Sequence, residues 1–199
     1  MSYTDYIWDL GGTLLDNYQT SAKAFQHVLK HEFGITASFD DIYNALRIST
    51  EVAIDQFASE LPHFKDLYKK REVQDLKHPV LFAGAGEVLA AIVKSGNRNF
   101  MISHRDDHVI DILEAAGISR YFTEVVTANN GFARKPSPDS INYLINKYQL
   151  KQAVMIGDRE IDILAGKQAN IDTIYFNSAD QLDVNATHNI NRLSDILTL

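Results

Sequence analysis

The chain contains no cysteine. That excludes disulfides, thiolate zinc sites and every mechanism with a cysteine nucleophile. It is compatible with a reducing cytoplasm, which is the expected location. Basic charge is also in deficit. Nineteen Lys and Arg against 26 Asp and Glu give a formal net charge of −7 at pH 7. A general nucleic-acid binder carries a basic surface, so nucleic acid is not an expected partner. No stretch approaches the roughly 18 apolar residues of a membrane helix. The N-terminal residues, Met1 to Asp9, show no basic segment followed by an apolar run. The expectation is therefore a soluble chain with no targeting segment and no membrane partner. Internal repeats and low-complexity stretches are absent too.

What remains is ordinary globular material. Hydrophobic residues make up 45% and charged residues 23% of 199 positions. These values sit near globular averages. The length allows a proper core, arranged as one domain or as a core with a modest insert.

Short apolar runs alternate with helical patterns. Tyr6-Ile7-Trp8 reads as a buried strand, ended by Asp9 and the turn residues Gly11-Gly12. From Asn17 to Phe33, residues Ala22, Phe25, Val28, Leu29 and Phe33 share a helical face, with Gly34 as a C-terminal cap. Residues 38–77 stay helical, with Pro62 and Pro79 as breakers. Beyond Pro79 the spacing predicts a helix at Val88–Val93, a strand at Asn99–Ser103, a helix at Val109–Ala116 and a strand at Thr123–Thr127. It then predicts a helix at Pro138–Tyr148, with Ser137 as N-cap and Pro138 as first residue. A strand at Ala153–Gly157, a helix at Ile161–Gln168, a strand at Asp172–Phe176 and a short final helix within His188–Leu199 complete the pattern. Such alternation implies an α/β fold whose parallel sheet is covered on both faces. The helical block breaks the alternation after the first strand and reads as an inserted small domain. The boundaries predicted are residues 1–15 and 79–199 for a Rossmann-like core and 16–78 for the insert.

Four candidate spots lie where predicted parallel strands end, the region where open α/β sheets bind ligands. Asp9-Leu10-Gly11-Gly12-Thr13-Leu14 puts a carboxylate beside backbone N–H groups, a combination suited to phosphate and metal. The alternative is a buried aspartate capping a tight turn. Ser103 offers a hydroxyl at a strand terminus, or simply caps the next helix. Lys135, in Arg134-Lys135-Pro136-Ser137-Pro138-Asp139, offers a cation to a phosphate, or is solvated surface. Asp158 and Asp162, in Gly157-Asp158-Arg159-Glu160-Ile161-Asp162, can face one site and suit a hard cation such as Mg²⁺. They also serve as helix-start acids favoured by the helix dipole.

In this order, the four motifs resemble the haloacid dehalogenase-like superfamily, over roughly residues 4–176. The helical insert is similar to the α-helical cap of the phosphoglycolate phosphatase and β-phosphoglucomutase branch. The resemblance implies an Mg²⁺-dependent phosphatase acting on a small phosphorylated metabolite, as a monomer or homodimer. It assigns Asp9 as nucleophile forming an aspartyl-phosphate, with Lys135 offsetting its charge. Leu10, Gly11, Ser103, His104 and Lys135 become phosphate contacts, and Asp9, Gly11 (through its carbonyl), Asp158 and Asp162 become metal contacts. It also implies a cap that closes over the core and excludes water.

One position departs from that pattern. The family places a second aspartate two residues after the nucleophile, as acid and base, and this chain has Gly11. General acid–base catalysis is worth about 10²–10⁴-fold. Weak turnover is one expectation; a degenerate phosphometabolite-binding or regulatory protein is the alternative. Phosphonate hydrolysis, which in the family pairs a small residue here with a cap lysine, is a lesser one. The Tyr-bearing, metal-free dehalogenases fit less well, given Asp158 and Asp162. His104, where the family usually has Asn, is a candidate to replace part of the missing acid, because imidazole titrates near neutrality. Asp-Leu-Gly-Gly-Thr also occurs as the phosphate loop of sugar kinases with the actin-like fold, but that reading leaves the later motifs unexplained.

Overall fold

The computed structural model describes residues 2–75, 77–178, 182–183 and 185–199. Met1, and Leu76 within the expected helical block, lie outside the described residues. The chain divides into two compact units, Met1–Leu15 with Leu81–Leu199, and Asp16–Val80.

The first unit is built on six parallel strands: β1 (Asp5–Trp8), β2 (Arg98–Ile102), β3 (Phe122–Val126), β4 (Ala153–Gly157), β5 (Asp172–Phe176) and β6 (His188–Ile190). Their spatial order is β3-β2-β1-β4-β5-β6, with every neighbouring pair parallel. The expected α/β class is borne out. Strand order reverses at β1, between β2 and β4, so the crevice beyond the carboxyl ends of β1 and β4 is the topological switch point.

Alternate side chains of β1 serve opposite faces of the sheet. Tyr6 and Trp8 join one core with Val88, Leu89, Ile92, Val109, Leu113, Val154 and Ile156. Ile7 joins the other, with Phe100, Met155, Ile141, Leu144 and Ala165. Burial on both faces explains why these strands read as continuous apolar runs.

Among the described residues the second unit holds four helices: α1 (Asn17–Phe33), α2 (Phe39–Ile48), α3 (Thr50–Phe57) and α4 (Phe64–Asp75). Asp16 caps α1 by accepting from the Gln19 N–H at 3.1 Å. Gly34 closes it in the left-handed region, φ 69°. Phe25 centres the core of this unit, with ring centroids 4.5 Å from Phe64 and 5.1 Å from Tyr68.

The remaining helices flank the sheet: α5 (Ala85–Lys94), α6 (His108–Ala115), α7 (Asp139–Tyr148) and α8 (Glu160–Gln168). Two local expectations need correction. Pro138, not Ser137, is the N-cap of α7, although the Ser137 hydroxyl accepts from the Asp139 N–H at 3.3 Å. The expected final helix is instead β6 followed by a 3-10 helix at Leu193–Thr198. β6 forms because β5 would otherwise leave its outer ladder of N–H and C=O groups unpaired.

Candidate active site

The loop after β1 begins as an extension of the sheet, with the Asp9 N–H donating to the Ile156 carbonyl at 2.9 Å. It then turns tightly. The Leu10 carbonyl accepts from Leu14 and Leu15, each at 2.9 Å. The Leu10 side chain is buried in the core, so a ligand meets only its main chain. Gly12 supplies the positive φ of the turn, 91°. A Cβ on Gly12 would also collide with the Asp158 carboxylate. Thr13, fully buried, donates its hydroxyl to Asp158 Oδ1 at 3.2 Å.

Asp158 follows β4, and Asp162 lies in the first turn of α8. Asp162 Oδ2 accepts from the Arg159 N–H at 3.2 Å, which fixes the carboxylate at the helix start. Gly157 is required here, because a Cβ would overlap the Asp162 side chain. One carboxylate oxygen from each of Asp9, Asp158 and Asp162 lies within 4.8 Å of the others.

Lys135 enters this cluster from the loop before α7. Its Nζ lies 2.5 Å from Asp9 Oδ1 and 2.6 Å from Asp162 Oδ1, and 3.5 Å from the Ile102 carbonyl. The Lys135–Pro136 peptide is cis. Burial alone pulls the ammonium towards neutrality, but the Asp9 and Asp162 carboxylates outweigh it and hold the pKa above its ordinary value. Asp162 is driven the other way. Burial, reinforced by the Asp9 charge, raises its carboxyl pKa despite the neighbouring ammonium.

His104 follows Ser103 at the end of β2. Its Nε2 accepts the backbone N–H of Lys135 at 2.8 Å. Burial, with the charges of Lys135 and Arg134, pushes its pKa down to about 4. The ring is thus neutral near pH 7 with Nε2 occupied. In this arrangement the imidazole holds the lysine loop. Ser103 is buried, and its hydroxyl accepts from the Arg105 N–H at 3.2 Å. It stands one residue beyond the carbonyl that Lys135 reaches.

The structure therefore brings Asp9, Lys135, Asp158 and Asp162 into one cluster and attaches His104 to it. Gly11 and Leu10 lie in the same loop, and Ser103 at the adjoining strand end. Thr13, Gly12 and Gly157 went unassigned in the sequence reading. Thr13 and Gly12 stood inside the first motif and Gly157 inside the last. Their purpose shows only when Asp158 and Asp162 are folded against them.

An open α/β sheet with an acid cluster at its switch point is the class these features define. The profile of the family described as "Haloacid dehalogenase-like hydrolase" matches residues 6–176, and the chain belongs to that family. The solved structure of a hydrolase from Streptococcus pneumoniae TIGR4 is 47% identical, with a TM-score of 0.87 and 100% of both chains covered. A pyrophosphatase, PpaX, of Oceanobacillus iheyensis is 26% identical over 87% of this chain and 83% of its own length. A phosphoglycolate phosphatase of Vibrio parahaemolyticus is 28% identical over 81% of this chain and 78% of its own. No described helix is long and apolar enough to cross a membrane.

Proposed function

We propose that the chain is a phosphatase for a small phosphorylated metabolite, with Asp9 as nucleophile. The observation that carries the reading is the Lys135 ammonium, within 2.6 Å of both Asp9 and Asp162 in a cluster completed by Asp158. A carboxylate approaching a phosphate dianion meets repulsion, and a buried cation beside it offsets that repulsion. The curated relatives, named as a pyrophosphatase and a phosphoglycolate phosphatase, support the same reaction class.

The residues present also fit a divalent cation. Three carboxylates share a small space with one lysine. Asp162 Oδ1, although ion-paired with Lys135, is buried and receives no aligned hydrogen bond. Hard oxygen donors in this number suit Mg²⁺. Asp9, Asp158, Asp162 and the Gly11 carbonyl would hold it. When bound, it supplies charge neutralisation for the phosphoryl group.

In the first step the Asp9 carboxylate attacks phosphorus and the leaving group departs, giving an aspartyl-phosphate. Lys135 holds Asp9 in place and screens its charge. Ser103 and the main-chain N–H groups of Leu10 and Gly11 are the proposed contacts to the phosphoryl oxygens. Water then attacks phosphorus and frees Asp9. We assign the inserted helical unit as a cap domain in which substrate choice resides.

The test is hydrolysis of a panel of aryl and acyl phosphates with Mg²⁺, with and without chelator, by wild type and Asp9→Asn. Activity lost in both the variant and the chelated sample is expected. Gly11 favours a second reading, a binding protein without turnover. That reading wins if wild type and Asp9→Asn are equally inactive while phosphorylated ligands still protect the chain from thermal unfolding.

A further inference from the structure

We propose that the substrate is an anhydride of phosphoric acid, an acyl phosphate or a pyrophosphate, rather than an alkyl phosphate ester. The inference rests on the phosphatase reading above and deepens it. Attack by Asp9 forms one P–O bond and breaks another, and the electron pair of the broken bond goes to the leaving oxygen. An alkoxide leaving from an alkyl ester is strongly basic and needs a proton as it departs. A carboxylate leaving from an acyl phosphate, with a conjugate acid of pKa about 4, needs none; a pyrophosphate that already carries a proton on its departing phosphate releases it as the weakly basic hydrogen phosphate dianion.

The side chains described at this site offer no such proton. Gly11, two residues beyond the nucleophile, has no side chain. Thr13 gives its hydroxyl hydrogen to Asp158. The Lys135 ammonium is held by Asp9 and Asp162, and both oxygens of Asp162 face donors, Lys135 Nζ and the Arg159 N–H, so that carboxylate has no proton to give. His104 accepts the Lys135 N–H at Nε2, so its one ring proton sits on Nδ1 of a neutral imidazole. A guanidinium does not serve as a proton donor to a leaving group in a protein, which removes Arg134 and Arg159, whose charges bear on His104. Ser103 presents an ordinary hydroxyl, which is not acidic at neutral pH.

The second half of the reaction obeys the same restriction. The phosphorylated Asp9 is itself an acyl phosphate. When water attacks its phosphorus, the Asp9–phosphorus bond breaks and the carboxylate leaves as a stable anion. Both protons of the water remain on the released phosphate, so charge and atoms balance without an added acid. Transfer from an anhydride substrate to Asp9 exchanges one anhydride for another. Both steps then use only leaving groups that this site can release.

The experiment compares kcat/KM for acetyl phosphate, inorganic pyrophosphate, p-nitrophenyl phosphate, phenyl phosphate and phosphoglycolate. It uses the full chain with Mg²⁺, Asp9→Asn as the background, and the variants Gly11→Asp and Gly11→Ala. Gly12 rather than Gly11 carries the left-handed φ of this turn, so no positive φ at 11 opposes a side chain. Wild type should prefer acetyl phosphate or pyrophosphate to phosphoglycolate by about 10²-fold or more, with p-nitrophenyl phosphate well above phenyl phosphate. Within the Gly11→Asp variant, the ratio of phosphoglycolate to acetyl phosphate turnover should rise by about 10²–10⁴-fold over the wild-type ratio. Gly11→Ala should give no gain. If Gly11→Asp does not fold, the leaving-group slope of the wild type decides alone. Equal wild-type rates on phosphoglycolate and the anhydrides overturn this inference and leave the phosphatase reading intact. Inactivity on every substrate overturns both.

Discussion

Gly157 ends β4 without a side chain because Asp162 occupies the space a Cβ would take. In Gly157→Ala, either the strand end or the first turn of α8 must move. Asp162 pairs with Lys135 at 2.6 Å, and Lys135 holds Asp9, so the displacement reaches the proposed nucleophile. A misplacement of about 1 Å at a reacting centre costs on the order of 10²-fold in rate. We expect Gly157→Ala to lower kcat/KM by that order on any substrate the wild type hydrolyses, and unchanged kinetics would refute this account. His104 makes a different prediction, about stability. The unfolded ring titrates near pH 6.5, and the folded ring near pH 4. Between these values the unfolded state binds more protons, so His104 destabilises the fold progressively as pH falls from about 6.5 towards 4 and has no such effect above. His104→Gln carries an amide oxygen about as far along its side chain as Nε2, as an acceptor for the Lys135 N–H, but does not titrate. Its melting temperature relative to wild type should therefore rise as pH is lowered through that window. A difference that stays constant from pH 7 to 4 would exclude the mechanism.

At the scale of elements, Asn99 shows how a polar residue can join apolar ones. It lies fully buried in β2. Its Oδ1 accepts the indole N–H of Trp8 at 2.9 Å, and its Nδ2 donates to the carbonyls of Leu89 and Tyr121 at 3.1 and 3.2 Å. One side chain thus ties β1 and α5 to β2 and to the turn before β3. Asn99→Leu would strand the Trp8 donor and two carbonyls, each costing about 1–3 kcal/mol. We expect a total of about 3 kcal/mol, seen as a fall in melting temperature of about 6–12 °C; a fall under a few degrees would mean that water or a repacked neighbour satisfies these groups. None of these partners is local, since Trp8 is 91 positions away, and that is why spacing along the chain marks Asn99 only as the start of a strand. Strand and helix order was legible because burial on both faces makes the strands continuous apolar runs. The candidate site was legible for a related reason: Asp9, Ser103 and Asp158 all sit where such runs stop. β6 was not, because His188-Asn189-Ile190 has no apolar run and owes its conformation to the open edge of β5. Thr13 and Gly12 were not, because their reason is Asp158, which lies 145 positions from Thr13.

At the scale of the molecule, the net charge of −7 has a local concentration at the switch point. Asp9, Asp158 and Asp162 converge there, and Lys135 neutralises one charge of the three. Like charges brought together in partly buried surroundings oppose folding, so the unit that carries them folds against its own acid cluster. A divalent cation bound only by the folded state reverses this by mass action. At 100 times its dissociation constant it contributes about 2.7 kcal/mol. For a chain of this size that corresponds to a rise of about 5–10 °C in melting temperature. Thermal unfolding should therefore shift upwards by that amount in Mg²⁺ relative to Na⁺ at matched ionic strength. Asp158→Asn removes one of the three charges. The variant should melt at or above the wild type without metal and should lose most of the Mg²⁺ shift. Because the measurement needs no substrate, it separates the metal site from turnover. Equal Mg²⁺ shifts in wild type and variant would place the cation elsewhere on the acidic surface and remove Asp158 from its coordination.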